Sequence, residues 1–275
     1  MTIALARAGR GLMTLIAAIA LQQTAVAESN YSWSSFTEPA YGLWSLAANH
    51  RISVFRDVPT HTTPALLVFG GYGSVFIEAN RFGHNFYRDG TWFASAVGNL
   101  RTHSTLSRQQ IDNSDVLSRY DLDERKAALE AGLQVGRRLP HGWFARFAWL
   151  QDVSQRHRSS ETELLLYRRD ELDLGLPRPV ILLSVAGVQR QSAGLNNYYF
   201  GIDKKEIREG QPSVYRADAG WSAELELIAS YRLRNSDVGV YAGLRHYQYD
   251  QSVSDSPLTH GGLIQQYFTG VGWYF

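Results

Sequence analysis

From Trp221 to Leu233 the chain changes character at every step. Trp221, Ala223, Leu225, Leu227, Ala229, Tyr231 and Leu233 form one set, and Ser222, Glu224, Glu226, Ile228, Ser230 and Arg232 form the other. Successive side chains of a strand point to opposite faces, so this period of two gives one apolar face and one mostly polar face. Wound as a helix, the same residues would scatter charge around the whole circumference. The pattern recurs over Ala127–Gly136, Trp143–Leu150 and Val238–Arg245. Runs of about ten residues exceed the usual soluble strand and match a tilted strand that crosses a bilayer.

The segments are joined alternately by short and long connections. Arg88–Gly90, Leu139–Gly142 and Arg234–Ser236 are polar and brief, suited to tight hairpins, whereas Thr102–Arg125, Val153–Ser159, Gln191–Gly220 and Asp250–Gly261 are long. Short turns on one side and long loops on the other are the habit of outer-membrane barrels. About twelve strands are expected, near 43–57, 64–71, 74–81, 84–88, 91–101, 126–138, 141–152, 160–169, 179–190, 221–233, 237–249 and 262–275. Pro59, Pro64 and several glycines interrupt the first four. An even count puts both termini in the periplasm and the long loops outside. The expected fold is therefore an all-β, antiparallel, up-and-down transmembrane β-barrel, with a soluble secreted β-sandwich as the competing reading.

Residues 1–27 read as a cleaved signal peptide, with Arg7 and Arg10 before the apolar run Leu12–Leu21 and the small-residue site Ala25-Val26-Ala27. The barrel domain would then be residues 28–275, exported to the outer membrane of a Gram-negative envelope. The 27 Lys+Arg against 26 Asp+Glu show no basic excess of the kind that nucleic-acid binders carry. With no cysteine, the chain has neither a disulfide framework nor a thiol nucleophile.

Chemistry-bearing motifs are scarce. No nucleophile elbow, phosphate loop or paired-histidine zinc motif occurs, and no cofactor is expected. The eight histidines are scattered. Asp112, Asp115, Asp121, Asp123 and Glu124 cluster in a long loop without calcium-site spacing and read as a solvated acidic loop. Glu130, Gln134, Arg146, Glu224, Glu226, Arg232 and Arg245 fall on lumen-facing rows. Glu224 and Glu226 are expected to pair with Arg232, Arg245 or Arg146, either as a structural network or as the lining of a pore. Tyr267, Thr269, Val271, Trp273 and Phe275 share the outward face of the last strand. They resemble the terminal signal read by the barrel-assembly machinery. Asp203 is placed to cap a short helix over 203–209 that Gly210 stops and Pro212 keeps from continuing.

Several segments resemble the MipA/OmpV family of outer-membrane barrels. They are Leu129–Gly136, the strand end Trp149–Ser154, the run Asn197-Tyr198-Tyr199-Phe200-Gly201-Ile202 followed by Gly210, Pro212, Tyr215 and Gly220, the loop Asp255–Leu258, and the ending Gln265–Phe275. The resemblance spans most of residues 40–275, although the N-terminal third keeps only Pro39-Ala40-Tyr41-Gly42 and the loop from Thr102 to Glu124 has no counterpart. It implies a non-enzymatic scaffold whose partners are an MltA-like murein lytic transglycosylase and a bifunctional penicillin-binding protein, held among outer-membrane lipid and lipopolysaccharide. A small-solute channel and a surface adhesin are the alternatives.

Overall fold

A computed structural model describes residues 41–78, 80–102, 104–208 and 214–274. The expected signal peptide, Gly210, Pro212 and Phe275 lie outside the described residues. Among the described residues twelve antiparallel strands close into one barrel. They are β1 Tyr41–Arg51, β2 His61–Tyr72, β3 Val75–Glu78, β4 Arg81–Arg88, β5 Trp92–Arg101, β6 Ala128–Arg138, β7 Trp143–Asp152, β8 Ser160–Leu172, β9 Val180–Gln191, β10 Gly220–Arg232, β11 Val238–Gln248 and β12 Leu263–Tyr274. Each strand pairs with its neighbours in sequence, and β1 closes on β12 with Leu43 opposite Tyr274 and Arg51 opposite Gln266. Closure pairs backbone groups along the wall, as a hydrocarbon solvent requires, except on one side of residues 61–68 of β2.

The period of two is realised as a wet inside and an apolar outside. On β10, Ser222, Glu224, Glu226 and Ile228 are buried in the lumen, while Trp221, Leu225 and Leu227 are exposed on the outer wall. Outward aromatics mark two levels. Trp44, Trp92, Trp143 and Trp273 stand near the periplasmic turns, and Trp149, Trp221 and Tyr267 near the outer ends. Arginines neighbour several of them, Arg137 4.8 Å from the Trp92 ring and Arg190 5.7 Å from Trp221. Such amphipathic groups settle at the two bilayer interfaces.

The first strands depart from expectation. β1 stops at Arg51 rather than running to residue 57, because Val54, Phe55 and Val58 turn inward to pack with other loops. β2 begins at His61 and runs through Pro64, and β3 is only 4 residues long. Among the described residues three short helices lie in the outer loops: α1 Arg108–Asp112, α2 Ala193–Phe200 and α3 Gln251–Ser254. Of the helix expected over 203–209, the described part is a single 3-10 turn, Lys204–Glu206, with Asp203 and Glu206 forming a reciprocal capping box.

The long loops fold over the outer mouth. Phe55, Leu106, Leu117, Leu195, Phe200 and Leu258, from four different loops, belong to one buried apolar cluster that also includes Tyr247 and Ile264 of the wall. Full burial of such a side chain contributes about 1.5–3 kcal/mol.

Candidate functional site: the lumen and its outer cap

The lumen beneath the cap is crossed by buried ion pairs. Nearest the mouth, Glu130 on β6 accepts from Arg101 Nε on β5 at 2.6 Å, Asn99 Nδ2 at 2.8 Å and His157 Nε2 at 3.2 Å. The same Arg101 reaches Glu161 of β8 at 2.5 Å. Two residues further down β8, Glu163 receives Arg81 of β4 at 2.9 Å and Arg146 of β7 at 2.6 Å. Across the lumen, Arg245 Nε of β11 donates to Glu226 of β10 at 3.1 Å, and Gln189 Nε2 donates to Glu224 at 3.1 Å. These carboxylates are essentially inaccessible to solvent, a setting in which an ion pair stands only with good geometry and added hydrogen bonds.

Of the residues expected in a lumenal network, Glu226 thus meets Arg245, whereas Arg146 meets Glu163. Arg232 lies at the periplasmic end and binds Asp237 at 2.7 Å across the β10–β11 turn. Sequence reasoning passed over Arg81, Arg101, Glu161 and Glu163. The last two sit on the inward row of Glu161-Thr162-Glu163, where the same parity rule finds them.

The motif segments, far apart in sequence, meet in the cap. Asp152, at the end of β7, accepts from Ser154 N, His157 N and Arg158 N, each at 2.8 Å, and from Ser154 Oγ at 2.7 Å. That carboxylate holds Gln155 and Arg158 in the left-handed region, at φ 59° and 50°. It thereby turns His157 inward onto Glu130. Tyr198 and Tyr199 lie on α2, where the Tyr198 hydroxyl accepts from Lys126 N at 2.9 Å and the Tyr199 hydroxyl donates to Lys126 O at 3.3 Å. Burial pushes the Tyr199 hydroxyl well above the ordinary phenol range. Gly201 follows α2 because a Cβ there would lie 2.6 Å from Asn197 O. Ile202 and Tyr215 bridge antiparallel, and the Tyr215 hydroxyl donates to Ser252 O of α3. Ser256, in the Asp-Ser-Pro loop, donates to Phe200 O at 2.7 Å.

Arg125 binds the cap from below. Its Nη1 and Nη2 reach Glu206 Oε1 and Oε2 at 2.7 and 3.1 Å, and Nη2 also donates to Gly201 O at 3.0 Å. Burial opposes the charge on Glu206. The Arg125 hydrogen bonds and charge, with the N–H groups of Asp203 and Asp123, outweigh it and hold the carboxyl below its ordinary range.

Beside these contacts an open polar cavity of about 600 Å³ lies on the outer face, lined by Arg108, Asp123, Glu124, Lys126, Gln155, Arg156 and Tyr198. Its carboxylates are already engaged. The Arg108 N–H holds Glu124 below the usual range, and Lys205 does the same for Asp123. The acidic cluster read from the sequence is thus partly neutralised by neighbouring cations. Among the described residues no group of three or more His, Asp or Glu is placed to hold a metal ion.

On the outward face of β12, Tyr267 and Val271 are exposed, and Trp273 stacks on Trp44 of β1.

Comparison with known proteins agrees with this architecture. The MltA-interacting protein of Escherichia coli is 28% identical over 165 residues, covering 60% of this chain and 63% of that protein. Outer membrane protein Omp26La of Vibrio anguillarum is 30% identical over 171 residues, covering 62% and 63%. OmpV of Vibrio cholerae is 30% identical over 161 residues, covering 58% and 59%. The chain therefore aligns with less than two thirds of each of these relatives. Among solved structures, that of the NanC porin shares 7% identity at a TM-score of 0.42, covering 84% of this chain and 98% of that one, too distant to bear on function. The family model described as MltA-interacting protein MipA matches residues 44–275. With the barrel, its outer-membrane relatives and that match in agreement, the chain belongs to the MipA family of outer-membrane β-barrel proteins.

Proposed function

We propose that this protein is a non-enzymatic scaffold that holds murein-processing proteins at the outer membrane. Its partners on this reading are an MltA-like lytic transglycosylase and a bifunctional penicillin-binding protein. The observation that carries it lies on the periplasmic side. The β8–β9 turn is the longest there, and it presents Leu174 and Leu176, 62% and 47% exposed, beside an Asp173 carboxylate that fixes the turn through Gly175 N at 3.0 Å. Apolar side chains held out into water on a braced turn suit an interface anchor. The name of the E. coli relative supports the first partner. The ion pairs across the lumen serve in this reading as a rigid frame, and Tyr267, Val271 and Trp273, with Phe275, as the signal for the barrel-assembly machinery. The test is capture of a purified lytic transglycosylase by the detergent-solubilised protein. Leu174→Asp with Leu176→Asp is expected to abolish capture while leaving the barrel folded. Equal capture by parent and variant would remove the reading.

A second reading concerns the outer face, where the cavity beside Arg108 and Arg156 suits an anionic saccharide such as that of lipopolysaccharide. The solute-channel alternative is weakened by the packed cap and by the Arg–Glu pairs across the lumen. Silence in planar bilayers is expected, and steady open events would restore the channel.

A further inference from the structure

Among the described residues the closed wall is thin at one place. β2 pairs with β1 along nearly its whole length, His61–Gly71 against Tyr41–Arg51, but with β3 only through Phe69–Tyr72. β3 ends at Glu78 and β4 begins at Arg81, so the hairpin stops short and residues 61–68 of β2 have no described strand on the side away from β1. Ile52 N donates to Gln265 O of the β12 side. Peptide groups alternate in direction along an antiparallel strand, so the odd residues of β1 and their odd partners on β2 bond to each other. The peptide groups of Thr62, Leu66 and Val68 therefore face the gap. Pro64 belongs to the same set and has no N–H to leave without a partner there, but the groups of the other three need a partner that hydrocarbon does not supply, so the edge calls for an occupant with polar atoms.

The gap stands at the level of the apolar band. Val68 is opposite Trp44, Leu66 opposite Leu46 and Pro64 opposite Ala48, and Leu66 is 65% exposed. It also opens the interior. Inward residues on the intact wall, such as Ser95, Glu163 and Ser222, are buried, whereas on β2 the inward Thr63 is exposed and Ala65 and Leu67 are only half-buried. At the outer end of the gap, on the inward row next to β2, stands Arg51. It has no hydrogen bond or ion pair among the described residues, and its guanidinium lies inside the wall within electrostatic reach of Tyr247, Tyr249 and Arg245. A cation in a lumen whose other buried arginines are paired, next to a wall open to lipid, matches a ligand with one negative charge and one alkyl chain.

We propose that the gap beside residues 61–68 of β2, beyond the short β3–β4 hairpin, is a lateral portal that admits a long-chain fatty acid from the outer leaflet, its alkyl chain lying over Thr63, Ala65 and Leu67 and its carboxylate on Arg51. This stands independently of the scaffold reading, since it uses neither the periplasmic turns nor the outer cavity.

The chain has no cysteine, so single-cysteine variants report cleanly. In phosphatidylcholine vesicles, a maleimide carried on an alkyl chain is expected to modify Thr63→Cys and to spare Ser222→Cys, which faces inward behind intact wall. Retention of radiolabelled palmitate is expected to weaken roughly tenfold in Arg51→Gln, to recover in Arg51→Lys, and to weaken likewise in Leu67→Trp, whose ring obstructs the gap. Equal labelling at positions 63 and 222, or palmitate retention indifferent to Arg51→Gln, overturns the proposal. A disulfide-linked dimer of Leu66→Cys that excludes palmitate also overturns it, because a second copy would then cover the edge.

Discussion

Trp44 and Trp273 stack face to face across the seam where the first strand meets the last, with ring centroids 4.3 Å apart and planes inclined by 13°. They are direct register partners on the lipid side of β1 and β12. Covering the join with two flat rings adds aromatic attraction to the ladder, worth about 0.5–1.5 kcal/mol beyond simple burial. In guanidinium unfolding of the detergent-solubilised barrel, Trp44→Ala and Trp273→Ala are each expected to be destabilising. The double variant should lose less than the sum of the two by about that coupling energy. Strict additivity would show that the rings act separately.

Glu163 of β8 is the shared acceptor of two arginines, Arg81 of β4 at 2.9 Å and Arg146 of the adjacent β7 at 2.6 Å. Replacing it with Gln removes the carboxylate that both guanidinium groups share, leaving Glu78 as the nearby buried carboxylate that interacts with both. The loss of one partner of a buried pair is expected to cost about 3–5 kcal/mol. The midpoint of guanidinium unfolding should fall accordingly. Glu171→Gln, whose partner Arg169 is more accessible, should change it little.

The wall was legible because lipid imposes a simple rule. Every strand must turn apolar groups out and can turn charge in, and residues such as Glu224, Leu225 and Glu226 write that rule as alternation. Nothing comparable marks the cap. Val54, Leu106, Leu195 and Leu258 come from four loops with no common period, and their burial depends on contacts between segments far apart in the chain. The reading of 52–57 as more strand failed for that reason, since an apolar Val54-Phe55 serves a packed loop as well as a wall. The partners of Glu130 were equally hidden. His157 reaches it only because Asp152 folds the intervening loop back, and Arg101 stands at the last position of its strand. The shortness of β3 also had no signal of its own, as the Gly73–Ser74 turn reads the same whether four or ten residues follow.

Asp152 supplies four hydrogen bonds to one loop, and two residues of that loop keep positive φ. Neither Gln155 nor Arg158 favours that region without such restraint, at roughly 1 kcal/mol or more for each. Asp152→Ala should release the loop while leaving the strands in place. Trypsin, which cuts after Arg156 and Arg158, is expected to cleave the folded variant markedly faster than the parent. Unchanged cleavage would show that the loop is held by other contacts.

The cap should also loosen in acid through Glu206. Its carboxyl is held below the ordinary value near 4.5 despite its burial, chiefly by the Arg125 hydrogen bonds and charge. A group whose folded pKa is depressed contributes stability above its unfolded pKa and loses it as pH falls through the folded one. Asp123 and Glu124, held low by Lys205 and by the Arg108 N–H, act in the same direction. Amide hydrogen exchange in α2 and in Asp203–Glu206, corrected for the intrinsic pH dependence of exchange, is therefore expected to stay constant from neutral pH to about 5 and to quicken below about 4.5. Glu206→Gln should exchange faster already at neutral pH and show a smaller acid response. A variant with the parent's full acid response would place the titration elsewhere, on Asp123 or Glu124.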